Sequence, residues 1–254
     1  MADVLVYTTA ARAEAARRLL ASACRATGGG ARLEVFATSG SLFGRLAQRQ
    51  GTRADLVLGF GPYMMHAAGL QGLLEPYQPR RVAAEVPHHP GWLWTGLDSS
   101  SWSVTPGVQG LDQLLSVPRL GLPDPVRSEP GVMAVLAVLD HARRVDGDPE
   151  RGWAWWQRRV TIGVALTEEA TPVVAGASHV LGLDAQSSLA ELAALPHAIA
   201  LLGGARNGDA ARMLIDELTG AATSVAPLLD VQWTFEQYRA VRERWLASGW
   251  SPLS

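Results

Sequence analysis

The first 75 residues alternate short apolar runs with helix-forming stretches, and this alternation restricts the chain to an α/β fold on a largely parallel sheet. Val4-Leu5-Val6-Tyr7 reads as a strand and leads into an Ala- and Arg-rich helix over 10–26, stopped by Gly28-Gly29-Gly30. Leu33 to Ala37 alternates as a second strand and turns through Thr38-Ser39-Gly40-Ser41 into a helix ending near Gly51. Ala54 to Leu58 is a third strand, after which Gly59-Phe60-Gly61-Pro62 opens a helix carrying Tyr63 to Ala68.

From about Arg80 to Pro130 the rhythm breaks. Pro87, Pro90, Pro106, Pro118, Pro123, Pro125 and Pro130 interrupt the chain, with Trp92, Trp94 and Trp102 between them, as in a crossing to a second lobe. Helical patterning returns over 132–145 and 148–159, the latter with Asp148 expected as N-cap and Pro149 at the first helical position. A strand over 160–166, a helix from Glu168, a helix near 189–195 and an apolar strand His197 to Leu202 follow. Beyond the Gly203-Gly204 turn, amphipathic helices are expected over 209–218 and 235–247. The last carries Tyr238, Val241 and Trp245 as a docking stripe.

Composition narrows the chemistry. At 254 residues, 48% hydrophobic and 18% charged, the chain suffices for one large core or two modest ones. A net charge of -2 gives no footprint for nucleic acid. Every basic residue is Arg, which removes Schiff-base catalysis, Ser-Lys dyads and the P-loop lysine. The lone Cys24 forms no internal disulfide. Esterase, zincin and dinucleotide signatures are missing, since Gly59-Phe60-Gly61 continues as Pro62-Tyr63-Met64. His88 and His89 are adjacent and point to opposite faces of an extended chain, so neither a metal nor another cofactor is expected. No apolar run approaches the roughly 18 residues of a membrane span. A secretory leader, where the gene encodes one, is expected to be missing from this chain.

Several segments, in their order and spacing, carry a resemblance. They are Val6-Tyr7-Thr8-Thr9, Thr38-Ser39-Gly40-Ser41, Ala54-Asp55-Leu56-Val57 and the stretch from Gly69 to Tyr77; then the stretches Asp124 to Gly131 and Leu195 to Leu202, and Gly204-Ala205-Arg206-Asn207. Together they resemble the type II solute-binding proteins of ABC importers, in the branch with ferric-ion, phosphonate and polyamine binders. The resemblance implies a two-lobed type II periplasmic-binding-protein fold, each lobe a mixed sheet flanked by helices. Lobe I is expected over 1–83 and 184–254 and lobe II over 84–183, with hinge strands near 80–86 and 178–186. It further implies an extracytoplasmic, monomeric binder, periplasmic or lipid-anchored, that takes a small solute in an interlobe cleft, without catalysis, and hands it to permease subunits. Ferric binders of this branch use adjacent tyrosines; Tyr7, Tyr63, Tyr77 and Tyr238 are never adjacent, which disfavours bare iron. An enzyme or a regulatory ligand-sensing domain on the same fold remains the alternative.

The candidate contacts follow from where strands become helices. Ser39, Gly40 and Ser41 combine free N–H groups, hydroxyls and the positive end of a helix dipole, a combination suited to an oxyanion such as a phosphonate, phosphate ester or carboxylate. The same residues also serve as an ordinary N-cap. Thr8 and Thr9 form the turn after the first strand, and Phe60 lies in the turn after the third, at the edge where α/β sheets bind ligands. Arg127 and Ser128 precede a helix and form either an anion grip or a capped loop. Trp92 and Trp94, two apart, would share one strand face on the second lobe, as an aromatic wall or as packing. Glu168-Glu169 reads as a first-turn dipole complement or as a contact for an amino group.

Overall fold

The computed structural model describes residues 3–48, 54–83, 86–167, 177–184, 189–223 and 227–250. The chain divides into two compact units: residues 1–99 with 196–224, and residues 100–195 with 225–254.

In unit 1 the expected βα rhythm is present. β1 (Val4–Thr9) passes through a 3-10 turn, Ala10–Arg12, into α1 (Ala13–Thr27), which ends on Gly28 in the left-handed region. β2 (Ala31–Phe36) leads to α2 (Ser39–Ala47), and β3 (Leu56–Phe60) to α3 (Pro62–Leu70). β4 (Leu74–Glu75) is a short edge strand. β2, β1 and β3 run parallel, and β3 pairs antiparallel with the later β9 (Leu195–Leu202), which β4 also joins. α7 (Gly208–Gly220) follows β9 and packs beside α1. Val4, Val6, Leu56, Leu58, Ile199 and Leu201 form one core with Leu20 of α1 and Leu214 and Leu218 of α7. The intervening Leu5 and Tyr7 are buried too, so β1 is covered on both faces and reads as an unbroken apolar run.

Unit 2 takes the far half of β5 (Thr95–Thr105), then α4 (Leu111–Leu114), β6 (Leu120–Pro123), α5 (Glu129–Asp146), α6 (Glu150–Ile162), β7 (Val164–Thr167) and β8 (His179–Asp184). β6 is parallel to β7 and β8, and β8 is antiparallel to β5. α5 is apolar nearly all round; residues 131–140 are all buried, which makes it the unit's central helix. Gly131 allows its first turn to reach the strand end, since a Cβ there would stand 2.3 Å from the Pro123 carbonyl oxygen. α8 (Val231–Ala247) packs on α5 with Tyr238, Val241 and Trp245 buried, the stripe the sequence indicated. Trp245 meets Trp156 edge-on at 5.5 Å, and Arg244 lies over Trp153 while its guanidinium holds Glu150 at 2.6 and 2.7 Å.

The unit boundaries differ from those composition suggested. The chain changes unit within β5 after Ser99, within β9 after Leu195, and again after Ser224. Residues 81 and 83 are tied to α7 of unit 1, with Thr219 Oγ1 donating to the Arg81 carbonyl at 2.7 Å and Ala83 N–H to that of Thr219 at 3.2 Å. β8, expected as a hinge, is an internal strand of unit 2, and α8 belongs to unit 2 despite following the last βα unit. Proline-rich composition marks loops, whereas the first crossing lies inside β5, a regular strand that carries no compositional break at Ser99.

Smaller differences have local causes. Asp148 accepts the Glu150 N–H through Oδ1 at 2.9 Å, an Asx turn, and the N-cap position falls on Pro149. Leu189 to Ala194 is an irregular turn rather than a helix, with Leu189, Leu192 and Ala193 buried as core plugs. The helix expected from Glu168, and Glu168-Glu169 with it, lies outside the described residues.

Candidate functional site

The three parallel strands of unit 1 end together. Pairing of Thr9 with Phe36 and of Tyr7 with Val57 sets the carboxyl ends of β1, β2 and β3 side by side, where α2 and α3 begin. The edge therefore carries Thr9, the Thr38-to-Ser41 turn and Phe60-Gly61. It is the end of an α/β sheet where helix N-termini present amides and partial positive charge.

The hydroxyls at this edge are partly committed. Thr8 is fully buried and Oγ1 donates to the Leu58 carbonyl at 2.8 Å, fastening β1 to β3; Thr9 is 7% exposed and makes no capping bond. The α2 cap is Thr38 rather than Ser: Oγ1 accepts the Ser41 N–H at 3.1 Å, and Ser41 Oγ accepts the Thr38 N–H at 3.1 Å. This capping box uses the Ser41 side chain. Ser39 is half-buried and Gly40 exposed, and their N–H groups, being in the first turn, have no intrahelical acceptor. Phe60 is buried at 2% exposure, with only its backbone at the strand end.

In unit 2 the corresponding position is the end of β6. Asp124 is buried and accepts the Val126 N–H at 2.8 Å; Ser128 caps α5, accepting from Gly131 N–H at 3.2 Å and donating to the Asp124 carbonyl at 3.1 Å. Arg127 is 45% exposed, with Nε 4.0 Å from Asp124 Oδ2. The capped-loop reading thus describes Ser128 fully, and Arg127 projects partly into solvent.

Trp92 and Trp94 lie in unit 1, and they do not form a shared strand face. Trp92 takes φ 56° in the turn between His89 and Trp94, where its ring stacks on His88 at 4.0 Å. Trp94 is buried, edge-on to His89 at 6.2 Å, with an indole N–H that meets no acceptor among the described residues. A left-handed residue reverses the chain here, which no two-residue periodicity reveals. Burial, together with the charges of His66 and His88, pushes His89 below the usual histidine range. No group of three or more His, Cys, Asp or Glu among the described residues is arranged to hold a metal ion.

Sequence reasoning passed over Arg12. It closes the 3-10 turn after β1, and Nη2 donates to Asp98 Oδ1 at 2.6 Å and also to Oδ2, so that one nitrogen spans both carboxylate oxygens. Its stem crosses Gly59, φ +87°, where a Cβ would come 3.1 Å from Arg12 Cβ and Cγ. His197, buried on β9, is held well below the ordinary histidine range by burial and by the Arg12 charge. The available sign was an Arg directly after a strand end; its partner, 86 residues away, left none.

With this geometry in hand, comparison defines the class: the chain has the two-unit α/β fold of the periplasmic binding proteins. Neither a family model nor a curated protein matches the sequence. Among solved structures, it is similar to the periplasmic binding protein AfuA of Actinobacillus pleuropneumoniae with fructose 6-phosphate bound (15% identity, 96% of this chain and 98% of that one, TM-score 0.68). It is also similar to apo ferric ion-binding protein A of Pasteurella haemolytica (11%, 99% of each chain, 0.70) and to a periplasmic thiamin binding protein (20%, 98% and 95%, 0.63). These neighbours are binding proteins rather than enzymes. At such identities the likeness establishes the fold, and the neighbours' solutes differ. No described helix is long and apolar enough to cross a membrane.

Proposed function

We propose that this chain is the extracytoplasmic substrate-binding protein of an ABC transporter, which captures a small solute bearing an anionic group and delivers it to a permease. The observation that carries this reading is the strand-end edge of unit 1, where the first-turn amides of Ser39 and Gly40, the Ser39 hydroxyl and the Thr9 turn sit at the ends of three parallel strands. Convergent N–H groups at positive helix ends stabilise an oxyanion without a lysine, and this chain has none. A binder of this fold with exogenous fructose 6-phosphate bound supports a phosphate ester as one candidate class. Thr8 and Ser41 then support the site by shaping its turns, and Ser39, Gly40 and Thr9 are the contacts.

A thermal-shift panel of inorganic phosphate, fructose 6-phosphate, thiamin, spermidine and ferric citrate tests the class. Stabilisation by a phosphate ester or another anion is expected; stabilisation by spermidine alone would overturn the anionic reading. Ser39→Ala should then weaken that ligand by roughly 10- to 150-fold, the worth of one charge-assisted hydrogen bond. Unchanged affinity would remove this turn from the site.

A further inference from the structure

We propose that Arg12 is a positioning residue that ties the turn after β1, with Thr8 and Thr9, to β5, the strand by which the chain first leaves unit 1. Asp98 accepts both bonds from Arg12 and stands immediately before Ser99, the last residue of β5 in unit 1.

Three features make this a rigid strut rather than a surface pair. The Arg12 and Asp98 side chains are only 14% and 26% exposed, so solvent screens them little. Both carboxylate oxygens accept from the one nitrogen, Nη2, so the charge-assisted contact holds at either of them. Gly59 supplies the clearance that keeps the stem flat across β3, and a side chain there would collide with it. A strut of this kind holds β5 up to Asp98 in the frame of unit 1, so bending of the crossing strand begins beyond that residue. Conversely, a solute pressing on the Thr9 turn displaces Arg12 and is felt at Asp98. The inference rests on the solute-binding reading only in naming that turn as a ligand contact.

Hydrogen exchange of the full, ligand-free chain tests it, with peptides covering 6–12 and 95–99. Arg12→Met and Asp98→Asn should each speed exchange in these segments about tenfold or more while leaving 120–123 and α5 unchanged. The exchanged pair, Arg12→Asp with Asp98→Arg, should recover most of the protection. Unchanged exchange in both single variants would overturn the strut, as would an increase spread equally over both units. Should the exchanged pair fail to fold, the near-isosteric Asp98→Asn still decides. No ligand enters the experiment, so failure here leaves the proposed function standing, and failure of the ligand panel leaves the strut standing.

Discussion

Arg159 offers a quantitative test of what holds unit 2 together. Its side chain is fully buried at 0% exposure, and no carboxylate partner is recorded for it among the described residues. Nη1 donates to the carbonyls of Leu114 at 2.7 Å and Val117 at 2.6 Å; Nη2 donates to Gly163 and, at 3.4 Å, to Pro118. The guanidinium thus gathers the carbonyls ending α4, the loop before β6 and the end of α6. Arg159→Met keeps the stem and removes every donor. Hydrogen bonds from a charged group contribute about 1.5–3 kcal/mol each, and a carbonyl left buried without a partner costs about 1–3 kcal/mol. Three short contacts would give roughly 5–9 kcal/mol, and relief of the cation's desolvation returns several kcal/mol of that. The net expectation is a loss of about 3–5 kcal/mol, a large share of the 5–15 kcal/mol typical of a folded domain. Urea unfolding followed by tryptophan fluorescence suits the measurement, since every tryptophan except Trp92 and Trp94 belongs to unit 2. Arg159→Lys retains charge without the fork and should fall between the two. A loss below about 1 kcal/mol for Arg159→Met would refute the claim that these carbonyls depend on the guanidinium.

Further expectations follow from the same geometry. His197 is held neutral in the folded chain, whereas the unfolded chain binds a proton near pH 6.5, so its contribution is fully present above pH 6.5 and declines as pH falls below it. The free energy of urea unfolding should therefore drop between pH 7 and 5, by at most about 1.4 kcal/mol per pH unit from this group, and His197→Gln should flatten that slope; an unaltered slope would show that folded His197 accepts the proton. Thr38→Ala and Ser41→Ala should each lower stability by about 1 kcal/mol through the α2 capping box, while Ser39→Ala leaves the melting temperature unmoved, which separates capping from ligand contact. Fully buried Asp55 accepts from the backbone N–H of Leu5 at 2.9 Å and of Asn207 at 2.8 Å, and from Asn207 Nδ2 at 3.2 Å. Asp55→Asn turns one acceptor into a donor facing donors and should cost about 1–3 kcal/mol in thermal or urea melts.

The sequence by itself determined the elements and their order. Period-two and period-3.6 patterns, Gly28 as a stop, Ser128 as a cap and the Tyr238-Val241-Trp245 stripe all act within one or two turns of chain, where local sterics and hydrogen bonding decide the outcome. The strand-to-helix turns at Thr8-Thr9, Thr38 to Ser41 and Phe60 were legible for the same reason. The unit boundaries were not: the first crossing falls inside β5, a regular strand on both sides of Ser99, and regularity leaves no mark at the point where partners change. The direction of the Trp92 ring depended on a single left-handed residue. Arg12 with Asp98, Arg159 with the Leu114 carbonyl and Asp55 with Asn207 join positions 86, 45 and 152 residues apart, and only the packed chain brings such groups within hydrogen-bond distance. Burial then makes each of these bonds obligatory, since a polar group removed from water must find its partner in the fold, and nothing in the linear order of residues says which partner that will be.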